Sequence, residues 1–327
     1  MYELINNFPQ QLAEAIALAQ QIKLNPTKKA IHHVVITGMG GSGIGGILVK
    51  NWVADQMLVP IEVNQAYTLP AYINQHTLLM VISYSGNTEE TLQALQAGIT
   101  KQAHIICITA GGAISQLAKE QALDLIILPA GKPPRACLGY TSVLLLAILR
   151  FYKLLVWDFT PELQAAILLL QQDSRHLQAK AQQIAMQIKG KLPVIYATAP
   201  YEGVAIRFRQ QLNENSKQLC WHHTIPALNH NELIGWQSSH KNLAVLMLGA
   251  ASHDRTSLQQ SITQAIIQKH TSHFHLLEAP GKTLLVNSLY FVHWCDWISF
   301  YLAQAKGVDP WVVAHIDQVK LALSTYY

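Results

Sequence analysis

The sequence predicts an α/β protein built from two doubly wound parallel sheets, and three observations support this class. Short apolar runs rich in β-branched residues, such as VVIT at 34–37 and LLMVIS at 78–83, end at turns of small residues. Stretches with apolar residues at helical spacing follow these turns. The same order of strand, turn and helix returns in the second half of the chain. This alternation is typical of a parallel sheet that helices cover on both faces.

The first half is predicted to begin with a helix and to continue with five strands. Apolar residues recur at helical spacing over 8–23, and Asn25-Pro26 ends this helix. A Leu-rich helix at 140–155 follows the last strand. The strands are predicted at 33–37, 60–64, 77–83, 104–109 and 124–128, with helices between them at 43–56, 88–100 and 113–121. Ligands of such sheets bind beyond the carboxyl ends of the strands.

The second half repeats this pattern after a long helical connector at 161–189 with a break near its middle. Strands are predicted at 192–200, 242–250 and 272–280, and a helix is predicted to run over 201–221. The most apolar stretch, 284–303, contains several polar residues and predicts a buried helix rather than a membrane span. We therefore predict an N-terminal domain at 1–155 and a C-terminal domain at 156–327, which includes the connector and a C-terminal helix.

Composition restricts the class of protein further. The chain has 327 residues, of which 50% are apolar and only 13% are charged, so it can bury a sizeable core. The net charge is +4, and the basic residues are dispersed, which favours a small anionic ligand over nucleic acid. The four cysteines form no CxxC pair, as expected of reduced thiols in a cytosolic protein, and the first residues do not resemble a signal peptide.

Two strand ends carry the residues of a predicted anion site. The segment GMGGSGIGG at 38–46 follows the first strand, and SYSGNTEETL at 83–92 follows the third. Hydroxyl groups and free backbone N–H groups at a helix N-terminus bind anions well. Because the two strand ends are expected to be neighbours, we predict that both loops hold one phosphate. The predicted ligands are Gly41, Ser42, Ser83, Ser85 and Thr88.

Each of these two segments also has alternative interpretations. Gly38, Gly40 and Gly43 satisfy the GxGxxG pattern of dinucleotide-binding loops, but no acidic residue ends a strand about 20 residues later. The glycines could also serve only a tight turn. The second segment could be an ordinary capped helix start with Asn87 or Thr88 as the N-cap, although four side-chain donors within six residues exceed what a cap needs.

Three further residues are candidates for catalysis. Arg135 follows two prolines, and a rigidly held arginine can stabilise an oxyanion; the alternative is a surface ion pair. Glu214 lies in NENSK, where it is either a general base or the partner of Lys217 one helical turn away. His230 lies in the loop PALNHNELIGW at 226–236 and could act as an acid near neutral pH. The paired histidines elsewhere lack the spacing of a complete metal site.

Together these motifs carry a family resemblance. In chain order, GMGGSGIGG, SYSGNTEETL, PRACLGY, LNENSK, NHNELIGW and the terminal GVDP…IDQVK resemble the bifunctional phosphoglucose/phosphomannose isomerase family, whose members consist of two sugar isomerase (SIS) domains. The resemblance covers nearly the whole chain. It implies two flavodoxin-like α/β/α sandwiches. It also implies a cytosolic aldose–ketose isomerase that converts glucose 6-phosphate, with mannose 6-phosphate as a second candidate substrate, to fructose 6-phosphate through an enediolate. No cofactor or metal is implied.

The resemblance also implies a role for each candidate residue. Ser42, Ser83, Ser85 and Thr88 would hold the sugar phosphate, Glu214 would be the base, and Arg135 would stabilise the enediolate. His230 and Lys320 would open the sugar ring, with the histidine supplied by the neighbouring subunit of a homodimer. The main alternative is a non-catalytic sugar-phosphate sensor, which would need neither the base nor the ring-opening pair.

Two expectations concern surfaces of the C-terminal half. The loop that carries His230 has apolar residues that are candidate anchors of a dimer interface: Leu228, Leu233, Ile234 and Trp236. The helix that carries Lys320 has an apolar face formed by Ile316, Val319 and Leu323, and this face is predicted to dock on the body of the protein. An exposed lysine on a terminal helix is the alternative for Lys320.

Overall fold

The computed structural model describes residues 1–250 and 255–325. The chain divides into two compact units. The N-terminal unit contains Asn7–Gln171 and Lys282–Val286, and the C-terminal unit contains Met1–Asn6, Gln172–Gly281 and the chain from Asn287 onward. The predicted domain boundary at 155/156 stays a prediction. No helix in the described ranges combines the length and hydrophobicity that a membrane span requires.

The N-terminal unit is built on a five-stranded parallel sheet in the order β2-β1-β3-β4-β5. All six residues of the central strand β3 are buried, as expected of a strand covered on both faces. The strands are β1 His33–Thr37, β2 Ile61–Asn64, β3 Thr77–Ile82, β4 His104–Thr109 and β5 Asp124–Ile127. Its helices are α2 Phe8–Gln21, α3 Gly40–Trp52, α4 Glu89–Thr100, α5 Gly112–Glu120, α6 Leu138–Phe151 and α7 Thr160–Gln172, while the short α1 Tyr2–Asn6 belongs to the other unit.

The C-terminal unit repeats this arrangement with a four-stranded parallel sheet in the order β7-β6-β8-β9. Its strands are β6 Leu192–Thr198, β7 Trp221–Ile225, β8 Leu243–Ala250 and β9 Phe274–Ala279. Its helices are α8 Ser174–Ile188, α9 Glu202–Ser216, α10 Arg255–Ile267, α11 Leu284–Lys306, which starts in the segment 282–286, and α12 Ala314–Ser324. The predicted fold class, two doubly wound parallel-sheet domains, is confirmed.

Two local predictions need correction. The helix predicted over 201–221 ends at Ser216, and the edge strand β7 follows it. The sequence WHHTI of β7 was not recognised as a strand because four of its five residues are only partly buried and the apolar signal is weak. The connector consists of two separate helices, α7 and α8, which agrees with its predicted break. Helix α3 begins at Gly40 rather than at residue 43.

Candidate functional site

The two predicted anion-binding segments follow neighbouring strands. Strands β1 and β3 pair in parallel, with His33 opposite Thr77 and Thr37 opposite Val81. Both therefore end at the same edge of the sheet. In the order β2-β1-β3-β4-β5 the chain crosses to one side from β1 and to the other side from β3, so the crevice between their ends is the topological switch point. This is the part of a doubly wound sheet where ligands bind.

Three of the predicted phosphate ligands lie close together at this edge. The hydroxyl of the buried Ser83 is 2.9 Å from that of Thr88. The hydroxyl of Ser42, which lies on α3, accepts a hydrogen bond of 3.1 Å from the backbone N–H of Tyr84. Ser85 is exposed, and its hydroxyl accepts a 3.3 Å hydrogen bond from the backbone of Asn87. The structure thus joins Ser83 and Thr88 on one loop, bonds Ser42 of α3 to the backbone of that loop, and leaves Ser85 more open.

The beginnings of two helices add backbone donors to this edge. Thr88 occupies the N-cap position of α4, but its side chain makes no capping hydrogen bond. The hydroxyl points to Ser83 instead, so the simple capped-helix interpretation does not describe this loop. Helix α3 likewise begins without a side-chain cap, and its early start places Gly41 and Ser42 in the first turn rather than in a loop. First-turn N–H groups without partners attract anions, although the N–H of Ser42 already donates to the Met39 carbonyl at 2.9 Å.

Arg135 packs against the first turn of α3. It lies on the short 3-10 helix Pro134–Ala136 and is only 5% exposed, so the surface ion pair considered from sequence is wrong. Gly41 faces it so closely that a Cβ on Gly41 would lie 2.6 Å from the backbone nitrogen of Arg135. The absence of a side chain at Gly41 therefore lets the arginine segment approach the first turn of α3.

Side chains that the sequence analysis missed hold the arginine segment in place. The phenol of Tyr84 donates to the carbonyl of Pro129 at 2.8 Å and accepts from the backbone N–H of Lys132 at 2.9 Å. Gln11 donates to the carbonyl of Ala136 at 2.6 Å and accepts from the N–H of Gly139 at 2.8 Å. Tyr84 lies between Ser83 and Ser85 in the motif SYSGNTEETL, whereas nothing near Gln11 in the sequence connects Gln11 with this loop.

A charged network lies beside the same segment. The Tyr140 phenol donates to Glu14, and the ammonium of Lys132 donates to the Tyr140 oxygen at 3.1 Å. The hydrogen bond from Tyr140 is the main reason that the pKa of Glu14 is lowered. Burial, followed by the bond to Glu14, raises the pKa of Tyr140, so the phenol keeps its proton. The Glu14 carboxylate and the Lys132 ammonium therefore both bond to the neutral Tyr140 hydroxyl, next to the segment that carries Arg135.

Glu214 lies in the last turn of α9, in the C-terminal unit, and is half-buried. The two residues that follow it are buried and bonded to α11. Asn215 donates to the hydroxyl of Ser299 at 3.0 Å, and Ser216 donates to the Ser299 carbonyl at 2.6 Å. The ammonium of Lys217 donates to the carbonyl oxygen of Glu214 at 2.6 Å. The end of the helix that bears the candidate base is thus firmly attached within its unit.

The loop that carries His230 is held by its polar neighbours, while His230 itself is exposed at the end of the 3-10 helix Ala227–His230. The carboxylate of Glu232 accepts hydrogen bonds from Tyr196 at 2.5 Å and from Trp221 at 2.8 Å. Asn229 accepts a 2.8 Å hydrogen bond from Thr263. These residues therefore fix the loop, and within the described chain the His230 side chain forms no hydrogen bond.

The proposed interface anchors of this loop need correction. Leu228 and Trp236 are fully or almost fully buried in the core of the C-terminal unit, where they pack with residues of β6 and β8. Leu233 packs against the same core. Of the four predicted anchors, Ile234 is 69% exposed and Leu233 is partly exposed, so these two remain candidates for contact with a partner molecule. The spacing of apolar residues in a loop does not distinguish a residue that faces its own core from one that faces outward.

Lys320 lies on α12, and this helix is exposed on all sides. None of the described residues 314–324 is buried, and the apolar face of Ile316, Val319 and Leu323 is 44%, 59% and 45% exposed. The prediction that this face docks on the body of the same chain is therefore wrong for the described structure. Lys320 forms no side-chain hydrogen bond within residues 1–250 and 255–325.

Residues 1–250 and 255–325 contain no group of three or more His, Cys, Asp or Glu side chains arranged to hold a metal ion. The paired histidines lie on or beside strands; His222 and His223, for example, are part of β7. All four cysteines are free.

Comparison with known proteins matches both halves of the chain. Residues 29–156 match the SIS domain family, and residues 177–323 match the bacterial phospho-glucose isomerase C-terminal SIS domain. A bifunctional phosphoglucose/phosphomannose isomerase of Caldicellulosiruptor bescii is 34% identical over 337 residues, which cover 99% of each chain. The enzyme of the same name from Aquifex aeolicus is 34% identical and covers 90% of this chain and 91% of its own.

This chain belongs to the bifunctional phosphoglucose/phosphomannose isomerase family. It is therefore an isomerase, and the family resemblance of its motifs is confirmed. A solved structure supports the fold alone: the C-terminal domain of glucosamine-fructose-6-phosphate aminotransferase from Francisella tularensis has a TM-score of 0.78 at 20% identity and covers 94% of this chain and 97% of its own. The catalytic roles of individual residues remain predictions.

Proposed function

We propose that this protein interconverts glucose 6-phosphate and mannose 6-phosphate with fructose 6-phosphate. The observation that carries the proposal is the group of hydroxyls at the switch point of the N-terminal sheet. There Thr88 stands at a helix N-cap, yet its hydroxyl is directed to Ser83 and not to the helix. A phosphate bound at this edge would accept hydrogen bonds from these hydroxyls, from Ser42 and Ser85, and from the first-turn N–H groups of α3 and α4.

Isomerisation would proceed by transfer of one carbon-bound proton and one hydroxyl proton. From aldose to ketose, the base takes the proton from carbon 2 of the open-chain sugar, which leaves an enediolate, and returns it to carbon 1, while the hydroxyl proton of oxygen 2 moves to oxygen 1. We assign this role to Glu214, because a single carboxylate oxygen can reach both neighbouring carbons on one face of the substrate. The two aldoses differ only in configuration at carbon 2, so mannose 6-phosphate must present the opposite face of carbon 2 to the same base.

Arg135 would stabilise the negative charge that develops on the enediolate oxygens. Its burial supports this role, because a cation held away from water acts on a nearby charge more strongly than one in bulk solvent. The hydrogen bonds around its segment fix the arginine before substrate binds, so little reorganisation is needed during the reaction.

Ring opening would come before proton transfer. His230 would protonate the ring oxygen, and Lys320 would help to remove the proton of the anomeric hydroxyl. We further propose that the protein is a homodimer in which His230 serves the site of the second subunit. The exposed position of His230 on a well-held loop is compatible with this arrangement. We place the enzyme in the cytosol, in glycolysis and gluconeogenesis, and propose that it needs neither cofactor nor metal.

The alternative of a non-catalytic sugar-phosphate sensor is not favoured. The relatives that match almost the full length of this chain are named as enzymes. A sensor would also have no use for a carboxylate placed like Glu214.

The proposal is tested by following fructose 6-phosphate formation from each aldose phosphate, with a chelator present. We expect turnover with both substrates, and we expect Glu214→Gln to bind substrate but to lose on the order of 10²-fold or more in kcat. Glu202→Gln is the matched control, because Glu202 is an exposed carboxylate in the first turn of the same helix. A Glu214→Gln variant with nearly normal kcat would exclude Glu214 as the base, and absence of turnover in the unmodified protein would refute the proposed reaction.

A further inference from the structure

Helix α9 ends with a residue in the left-handed conformation. Lys217, the residue after its last turn, has φ +51° and ψ +42°. Glycine is the usual residue at this position of a helix end, since a side chain with a Cβ is strained there. The same conformation occurs at Gln102, Ala122 and Lys153, so the backbone alone does not distinguish Lys217; the contacts of its side chain do.

The ammonium of Lys217 connects two separate parts of the C-terminal unit. It donates to the carbonyl oxygen of Glu214 at 2.6 Å and to the carbonyl oxygen of Asp309 at 2.7 Å, and it lies 3.4 Å from the carbonyl of Asn215. The last carbonyls of a helix have no partner within the helix and carry partial negative charge, so a cation is favourable there. Lys217 satisfies one of them and reaches the Asp309 segment with the same group.

Asp309 belongs to the connection that leads from α11 to α12, the helix that carries Lys320. The Asp309 carboxylate also accepts a 2.8 Å hydrogen bond from the backbone N–H of Trp311, so this connection has a defined turn. Because no described residue of α12 is buried, packing of its own side chains does not position this helix. The position of α12 therefore depends largely on the contacts of the preceding connection, including the hydrogen bond between Lys217 and Asp309.

We propose that Lys217 is a positioning residue, which holds the helix end bearing Glu214 and the segment leading to Lys320 in one arrangement. The inference rests on the proposed function, in which Glu214 transfers the proton between carbons and Lys320 assists ring opening. One ammonium group would then keep the residues of both chemical steps in register.

Other hydrogen bonds should keep the C-terminal unit folded when the side-chain contact of Lys217 is removed. Helix α9 stays attached to α11 through Asn215 and Ser216, which both bond to Ser299. Lys306 donates to the carbonyl oxygen of Lys217 at 3.0 Å, and that bond does not use the Lys217 side chain. A Lys217→Gly variant should therefore fold, because glycine suits the left-handed backbone and the neighbouring anchors remain.

The chain offers a closely matched control. Lys153 follows the end of α6, has φ +57° and is exposed, and its ammonium forms no hydrogen bond within the described residues. Lys153→Gly makes the same chemical change in the same backbone conformation without removing a comparable contact. The experiment measures kcat and KM of both variants for glucose 6-phosphate. It also measures amide hydrogen exchange of the peptides that cover residues 213–217 and 307–325 by mass spectrometry.

We expect Lys217→Gly to lose on the order of tenfold in kcat with KM within about twofold, because misplacement of a catalytic group by a fraction of an ångström slows the chemical step. We also expect faster exchange in the 307–325 peptide and little change in 213–217. Lys153→Gly should match the unmodified protein in all three measurements. A purely structural role would instead lower the unfolding temperature without the split between kcat and KM.

The proposal would be overturned by unchanged kcat in Lys217→Gly or by unchanged exchange of the 307–325 peptide. Equal losses in both glycine variants would do so as well, because the effect would then come from replacing any left-handed lysine. If Lys217→Gly is unstable, Lys217→Met provides the same test with the alkyl chain retained. Inactivity of the unmodified protein would refute the proposed function, and the exchange measurement would still decide whether Lys217 holds the Asp309 segment.

Discussion

Replacement of Gly41 by alanine tests the contact between the first turn of α3 and the segment that carries Arg135. A Cβ at position 41 would lie 2.6 Å from the backbone nitrogen of Arg135, 2.8 Å from its Cα and 2.8 Å from the carbonyl carbon of Pro134. All three are backbone atoms, so a change of rotamer cannot relieve the overlap. Ordinary van der Waals contact begins near 3.4 Å, and the two segments must therefore separate by about 0.8 Å.

Two effects of this substitution on stability oppose each other. Alanine is favoured over glycine within a helix by about 1 kcal/mol, whereas overpacking of this kind costs about 1–3 kcal/mol. The net loss of unfolding free energy is thus expected to be at most about 2 kcal/mol, and the protein should remain folded. The effect on catalysis should be larger, because a displacement close to 1 Å of a group that stabilises the transition state can reduce the rate by up to 10²-fold.

The assay is the steady-state conversion of glucose 6-phosphate, with thermal unfolding measured on the same samples. We expect Gly41→Ala to lose on the order of tenfold to a hundredfold in kcat, since Arg135 acts on charge that develops only in the transition state, and to raise KM as well, since the first turn of α3 belongs to the proposed phosphate site. Gly46→Ala is the control: it lies in the same helix, and its Cβ would meet the side chain of Ile36 at 2.8 Å, away from Arg135. A folded Gly41→Ala protein with normal kcat would refute the reasoning.

Two further predictions concern the C-terminal unit. Glu232→Gln should lower the unfolding free energy by about 1–2 kcal/mol, because the carboxylate accepts hydrogen bonds from Tyr196 and Trp221. The control Glu278→Gln, at an exposed carboxylate, should change the unfolding free energy by less than about 0.5 kcal/mol, measured for both variants by urea unfolding. Equal values for the two variants would contradict a stabilising role of the Glu232 hydrogen bonds. Burial lowers the pKa of His293 from 6.5 to about 3, so its contribution to stability is complete above pH 6.5 and is lost as the pH falls towards 3. Between about pH 7 and about pH 5 this loss of unfolding free energy amounts to about 2 kcal/mol. It should be absent in His293→Gln. If the unfolding free energies of the two proteins, measured over this range, depend on pH in the same way, the effect is excluded.

Much of the fold follows from local patterns in the sequence. The continuous apolar run of β3 and the turn of small residues after it predict a buried parallel strand that ends at a ligand site, and the structure has β3 within one residue of the predicted bounds. The polar edge strand β7 was missed, since an edge strand needs less apolar surface and its periodicity is weak. The start of α3 was placed too late because glycines normally disfavour a helix, whereas here close packing requires them.

The candidate site was predicted only in part. Ser83 and Thr88 lie within one short loop, so their proximity could be inferred from spacing, and the pairing of β1 with β3 added Ser42 to them. Tyr84 and Gln11 escaped notice because the atoms they bind belong to distant segments of the chain. Local spacing suggests only a partner one turn away for Lys217, whereas the structure also bonds its ammonium to the carbonyl of Asp309, which is distant in the sequence.

The sequence by itself determined the class of fold, the order of the motifs and the family, because periodicity, turn residues and motif spacing are properties of neighbouring residues. The tertiary structure decided which residues face the core and which remain exposed on the surface. It buried Arg135, turned Leu228 and Trp236 inward, and left α12 exposed. These outcomes depend on how segments distant in the chain fill space against one another, and close packing is a property of the assembled chain that no local pattern contains.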